Sequence, residues 1–120
     1  MYANTVTLTG FIGAHAETRN GKNTSTFVTF SIATKNSWKD RETGEWLSRT
    51  EWHRAVVFGR LTAAAATLVK GDHVQVLGQL RTREYQIDPA SPKQRVAEIR
   101  VTSILKLERT KPSTEVADIA

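Results

Sequence analysis

No cysteine occurs among the 120 residues, which excludes disulfides, cysteine-ligated zinc and thiol nucleophiles. That absence fits a reducing compartment. No apolar run approaches the roughly 20 residues of a membrane-spanning helix. Met1-Tyr2-Ala3-Asn4 has neither the basic start nor the apolar core of a signal peptide. A cytoplasmic location away from membranes is the expectation. His15, His53 and His73 are scattered without ligand spacing, so no metal site is expected. Nucleophile elbow, P-loop and glycine-rich dinucleotide motifs are missing, and carboxylates occur only as ordinary charges such as Glu42 and Glu45. Neither a cofactor nor catalysis is expected. Acidic residues are also scarce: 12 Asp plus Glu against 17 Lys plus Arg leave a net charge of +5. Such a balance suits a polyanionic partner, and equally plain solubility.

What is present is alternation. Over residues 4–12, Val6, Leu8, Gly10 and Ile12 share one face and Thr5, Thr7, Thr9 and Phe11 the other, the period of a half-buried strand. A polar stretch over 13–23 contains the turn signal Asn20-Gly21. From Thr26 a second run sets Val28, Phe30 and Ile32 against Phe27, Thr29, Ser31 and Ala33. A charged segment over 36–49 has Thr43-Gly44 as the expected tip of a long hairpin. Its return strand, 50–58, sets Trp52, Arg54, Val56 and Phe58 against Glu51, His53, Ala55 and Val57. The period then changes: Leu61, Ala64, Ala65 and Leu68 predict a helix of two to three turns, stopped at Lys70-Gly71. Alternation returns over 72–85, with Arg81, Arg83 and Tyr85 on one face, and over 96–107, with Ala97, Ile99, Val101, Ser103, Leu105 and Leu107 on the apolar face.

Three strands, one short helix and two strands predict an all-β domain over residues 1–108. The layout is that of a five-stranded Greek-key OB-fold barrel with its helix between strands 3 and 4. Residues 109–120 lose periodicity and read as a flexible tail.

Aromatic and basic residues interleave. Trp38 precedes Lys39 and Arg41, Trp46 precedes Arg49, Trp52 precedes Arg54, Phe58 precedes Arg60, and Tyr85 follows Arg81 and Arg83. Single-stranded DNA exposes base faces and phosphates together, so its holder needs flat apolar surfaces beside cations. Tryptophan in a strand is ordinarily packing. Trp38 lies at a hairpin and Trp52 shares its face with Arg54, which favours contact with DNA for both. Tyr85 shares a face with two arginines and leans the same way. Phe58 and Trp46 stay open between packing and stacking, and Phe27 and Phe30 read as core and sheet packing. Lys39, Arg54, Arg60, Lys70, Arg81 and Arg83 are phosphate candidates. A solvated charge is the simpler reading for a lone lysine. An OB-fold that mainly contacts proteins and one that binds RNA are the competing readings.

The tract Asn36-Ser37-Trp38-Lys39-Asp40, Thr43-Gly44-Glu45, then Thr50-Glu51-Trp52-His53-Arg54-Ala55-Val56-Val57-Phe58-Gly59-Arg60-Leu61 closely resembles the bacterial single-stranded DNA-binding protein family. So do Val69-Lys70-Gly71-Asp72 and Gly78-Gln79-Leu80-Arg81-Thr82-Arg83, and the resemblance covers residues 3–108. It implies sequence-tolerant binding that protects single-stranded DNA in replication, recombination and repair. It implies base stacking at Trp38, Trp52 and Phe58, a similar platform at Tyr85 where many members carry tryptophan, and a basic path through Arg54, Arg60, Lys70, Arg81 and Arg83. His53 falls at a subunit-interface position, and members of this type usually form homotetramers with DNA wrapped around them. Many members end in a flexible linker and an acidic tip closing with Pro-Phe that recruits other proteins. This chain ends Thr114-Glu115-Val116-Ala117-Asp118-Ile119-Ala120 without either, which leaves its protein partners, and a truncated terminus, open.

Overall fold

Period-two alternation becomes strand in the computed structural model, which describes residues 1–21 and 25–107. The expected tail over 109–120 lies outside the described residues. Six strands form among the described residues: β1 (Val6–Ile12), β2 (Glu17–Asn20), β3 (Thr26–Lys39), β4 (Trp46–Phe58), β5 (His73–Tyr85) and β6 (Gln94–Lys106). Five of them close on each other in the order β1-β5-β6-β4-β3, with β3 returning to β1. All these pairings are antiparallel except β4–β6, which is parallel and brief: Ala55 faces Ile99 and Val56 faces Arg100. This is the expected five-stranded OB-fold barrel. The short β2 adds to it, zipping onto β3 beyond the end of β1 with Glu17 opposite Thr29 and Asn20 opposite Thr26. All four of its residues are exposed, so it carries no buried face for alternation to reveal.

Closure follows from β-branched residues that fill one face of every long strand. Ile12, Val28, Phe30, Ile32, Ala55, Val57, Val74, Val76, Ile99 and Val101 meet in the interior. β1 must leave β5 and reach β3 within a few residues, and Gly10 makes this corner possible. A Cβ at Gly10 would collide with the Ala33 carbonyl oxygen.

Two sequence expectations need correction. Between Leu77 and Gly78 the register on β6 jumps from Ser103 to Val101. Thr102 is the extra residue, and its hydroxyl donates to the Leu77 carbonyl at 3.2 Å. A bulge of this kind reverses the alternation beyond it. Ile104 therefore packs against the core while Leu105 is exposed, opposite to the continuous apolar face predicted for 96–107. The helix is also shorter than its apolar spacing predicts. A 3-10 turn, Gly59–Leu61, leads into α1 (Thr62–Ala65). The chain then tightens, with the Leu68 N–H donating to the Ala65 carbonyl at 3.1 Å. Ala65 and Leu68 still reach the core and Leu61 packs against it, but Ala64 is exposed, so the apolar spacing marks most of the face that covers the barrel and not the length of the helix.

Candidate nucleic-acid interface

The outward residues of β4, β6 and β5 make one continuous surface, because register aligns them strand by strand. Val56 on β4 sits beside Arg100 on β6, which faces Gln79 on β5. Glu98 faces Arg81, Val96 faces Arg83 and Gln94 faces Tyr85. With Trp52, Arg54 and Phe58 sharing the outward face of β4, six of the predicted residues come together: Trp52, Arg54, Phe58, Arg81, Arg83 and Tyr85.

Glu98 organises the cations. One carboxylate oxygen accepts from Arg54 Nε at 3.0 Å and the other from Arg83 Nε at 3.2 Å. Its side chain is only 12% exposed, whereas the two arginines remain partly open to solvent. Arg54 thus shares this carboxylate with Arg83, and the outward face also carries Arg81, Arg83 and Arg100. The last three, with Val56, Phe58, Thr82 and Glu98, line a hollow of about 210 Å³. The surplus of positive charge suits a polyanion.

The aromatic residues differ in how free their faces are. Trp52 is 62% exposed. Its six-membered ring lies against Gly13, where a Cβ would collide with it, so at that point the ring packs on bare backbone. Trp52, His15, Glu17, Arg19, His53 and Arg54 border a second hollow of about 300 Å³. Phe58 is held from both sides of β4. The Phe27 ring stacks at 5.4 Å from β3, and the Arg100 guanidinium lies 4.3 Å from the ring centroid on the β6 side, a cation–π contact. Tyr85 donates its hydroxyl to Gln94 Oε1 at 2.8 Å, which fixes the ring near the end of the β5–β6 pair.

Other predicted residues stand apart. Trp38 and Lys39 lie on a two-stranded arm, since beyond Ala33 and Trp52 the β3–β4 ribbon has no third strand among the described residues. Trp38 pairs with Leu47 and so occupies the ribbon face opposite Trp52, while Lys39 pairs with Trp46 on the Trp52 face. Arg60 is exposed on the 3-10 turn just past Phe58. Lys70 is exposed, and its backbone N–H donates to His15 Nδ1 at 3.0 Å, next to the hollow under Trp52. His53 Nε2 lies 2.8 Å from the Thr34 hydroxyl. Among the described residues no group of three or more His, Asp or Glu side chains is placed to hold a metal ion, and no helix is long and apolar enough to cross a membrane.

Sequence reasoning missed Arg100, Glu98 and the exposed Phe11, whose ring stacks on His73 at 4.4 Å with 12° between planes. Each lies far in sequence from the residues it joins. The one available signal was strand parity, which already set Arg100 and Glu98 against the apolar face of β6.

Residues 3–107 match the model of the single-strand binding protein family. The fold superposes on a Plasmodium falciparum SSB in complex with ssDNA with a TM-score of 0.79 and 30% identity, covering 90% of this chain and 97% of that one. It also superposes on a deletion mutant of the single-stranded DNA binding protein from Thermus aquaticus with a TM-score of 0.72 and 24% identity, covering 88% of this chain and 51% of that one. The chain belongs to the single-strand binding protein family.

Proposed function

We propose that this member of the single-strand binding protein family holds single-stranded DNA with little sequence preference across the outward face of β4, β6 and β5. The observation that carries the reading is Trp52, exposed and seated on Gly13 beside an arginine cluster ordered by one carboxylate. A base stacks on the free indole face, and its phosphates meet Arg54, Arg81 and Arg83. Stacking uses the π-face common to all bases, so it tolerates any sequence, while phosphate contacts make affinity fall with salt. Phe58 and Tyr85 extend the platform, and a base reaching the covered face of Phe58 either displaces the Arg100 guanidinium or stacks upon it. Trp38, Lys39, Arg60 and Lys70 guide the strand on and off this face. The role is binding and protection in replication, recombination and repair in the cytoplasm, without catalysis. We also propose a homotetramer with His53 at a subunit contact.

Titration with poly-dT tests this. Tryptophan fluorescence falls strongly on binding, duplex DNA has a much smaller effect, and log affinity declines linearly with log salt. Equal affinity for duplex and single strand overturns the reading, and stronger binding of poly-rU than of poly-dT moves it to RNA. Sedimentation at a monomer's mass overturns the tetramer.

A further inference from the structure

The hairpin arm sorts its side chains by face. Lys35 lies opposite Thr50, Ser37 opposite Ser48 and Lys39 opposite Trp46. All of them share the face of Trp52 by the two-residue period of the strands. Over residues 33–39 and 46–52 that face carries two tryptophans, two lysines and no carboxylate. The opposite face carries the Trp38–Leu47 pair with Arg49 and Glu51, and there Arg49 Nε is 2.9 Å from Glu51 Oε2. Among the described residues neither Lys35 nor Lys39 makes an ion pair. Trp46 is 71% exposed and makes no ring contact among the described residues.

We propose that Trp46 is a further base-stacking platform and that Lys35 and Lys39 flank it as phosphate contacts, carrying the bound strand from Trp52 out along the arm. The inference rests on the single-strand reading above and extends the site beyond the barrel. Trp46 and Trp52 are six residues apart on one face of β4, about 20 Å along the strand. That interval lets a strand leave one ring and reach the next while passing Lys35 and Lys39. The surroundings argue against a protein partner at Trp46. A protein–protein contact is richest in apolar and aromatic groups and poor in lysine at its centre, whereas the neighbours of Trp46 on this face are Lys39, Ser37 and Ser48, with Thr50 and Lys35 next along the arm. The alternation of flat ring and free cation matches the alternation of base and phosphate.

The test is binding of oligo-dT of about 8 and about 30 nucleotides, spanning the usual range for one OB-fold and beyond. The expected result for Trp46→Ala is affinity for the long oligomer reduced about five- to hundred-fold, with the short one held within about two-fold. Trp46→Phe restores most of the loss. The double variant Lys35→Ala/Lys39→Ala lowers the salt slope for the long oligomer by about 1.4, the value for two phosphates on a single strand. Trp52→Ala weakens both lengths. The inference alone is overturned if Trp52→Ala weakens binding but Trp46→Ala leaves both lengths unchanged. It is likewise overturned if Trp46→Ala alters only the sedimenting mass. If the unaltered protein binds neither oligomer, the single-strand reading falls with it.

Discussion

The barrel face and the hairpin arm carry the same ingredients, aromatic rings and cations, in opposite states of order. On the barrel, Arg54 and Arg83 share Glu98, Arg100 covers Phe58, Phe27 backs Phe58, and Tyr85 is tied to Gln94. On the Trp46 face of the arm, by contrast, ring and lysines make no such contacts among the described residues. Strand count explains the difference. A side chain in the barrel has a neighbouring strand on each side to supply partners, while one on a two-stranded ribbon has a single neighbour. Ordered groups lose little conformational freedom when a ligand arrives, whereas free ones must be immobilised at a cost of roughly 0.5–1.5 kcal/mol per flexible side chain. On the proposed reading, the barrel face holds a strand in one place and the arm follows it.

The sharpest way to break this contrast is through the core that orders the barrel. Ile32→Ala, at a fully enclosed site, is expected to lower unfolding free energy by about 2–5 kcal/mol. Trp46→Ala should stay within about 0.5 kcal/mol, and urea unfolding followed by circular dichroism measures both. Next in size, Trp52→Ala should weaken poly-dT binding by about 1–3 kcal/mol, the value of one stacked base, read by fluorescence anisotropy. Gly13→Ala should weaken binding by up to that amount although it touches no DNA, because its methyl group displaces the Trp52 ring. Unchanged affinity in Gly13→Ala means that the backing under the indole is irrelevant. A smaller effect is expected from Glu98→Gln, which leaves Arg54 and Arg83 their charge but removes the anion that competes with phosphate. Affinity at low salt should rise a few-fold, and a fall instead shows that ordering of the arginines outweighs competition. Smallest of all, Arg81→Ala should reduce the salt slope by about 0.7, the value of one phosphate contact on a single strand.

Much of the barrel was legible in the sequence because a half-buried strand writes its inward face at every second position. The grouping of Trp52 with Arg54, and of Arg81 with Arg83 and Tyr85, needed only that parity. What stayed hidden depended on contacts between distant segments. Nothing near Trp52 announces that Gly13 lies beneath its ring, and nothing near Phe58 announces Arg100. The bulge at Thr102 left no local mark, since a single inserted residue looks like any other until its partner strand is known, and so Leu105 read as core. Trp46 and Trp38 sit on opposite faces only because the hairpin, turning through residues 40–45, takes a register that pairs Lys39 with Trp46. A register changed by one residue would bring Trp38 onto the face that Trp46 shares with Trp52.

The barrel closes through the short parallel contact of Ala55 with Ile99 and Val56 with Arg100. Every other junction except the corner between β1 and β3 is a longer ladder, so this seam is the natural place for local opening. The proposed ligand path crosses it, touching β4 on one side and β6 and β5 on the other. A strand laid across that path acts as a clasp on the fold, favouring the closed barrel by mass action. Amide hydrogens around Val56 and Arg100 are then expected to exchange slowest when the protein is loaded, so that the cargo guards its carrier as the carrier guards the cargo.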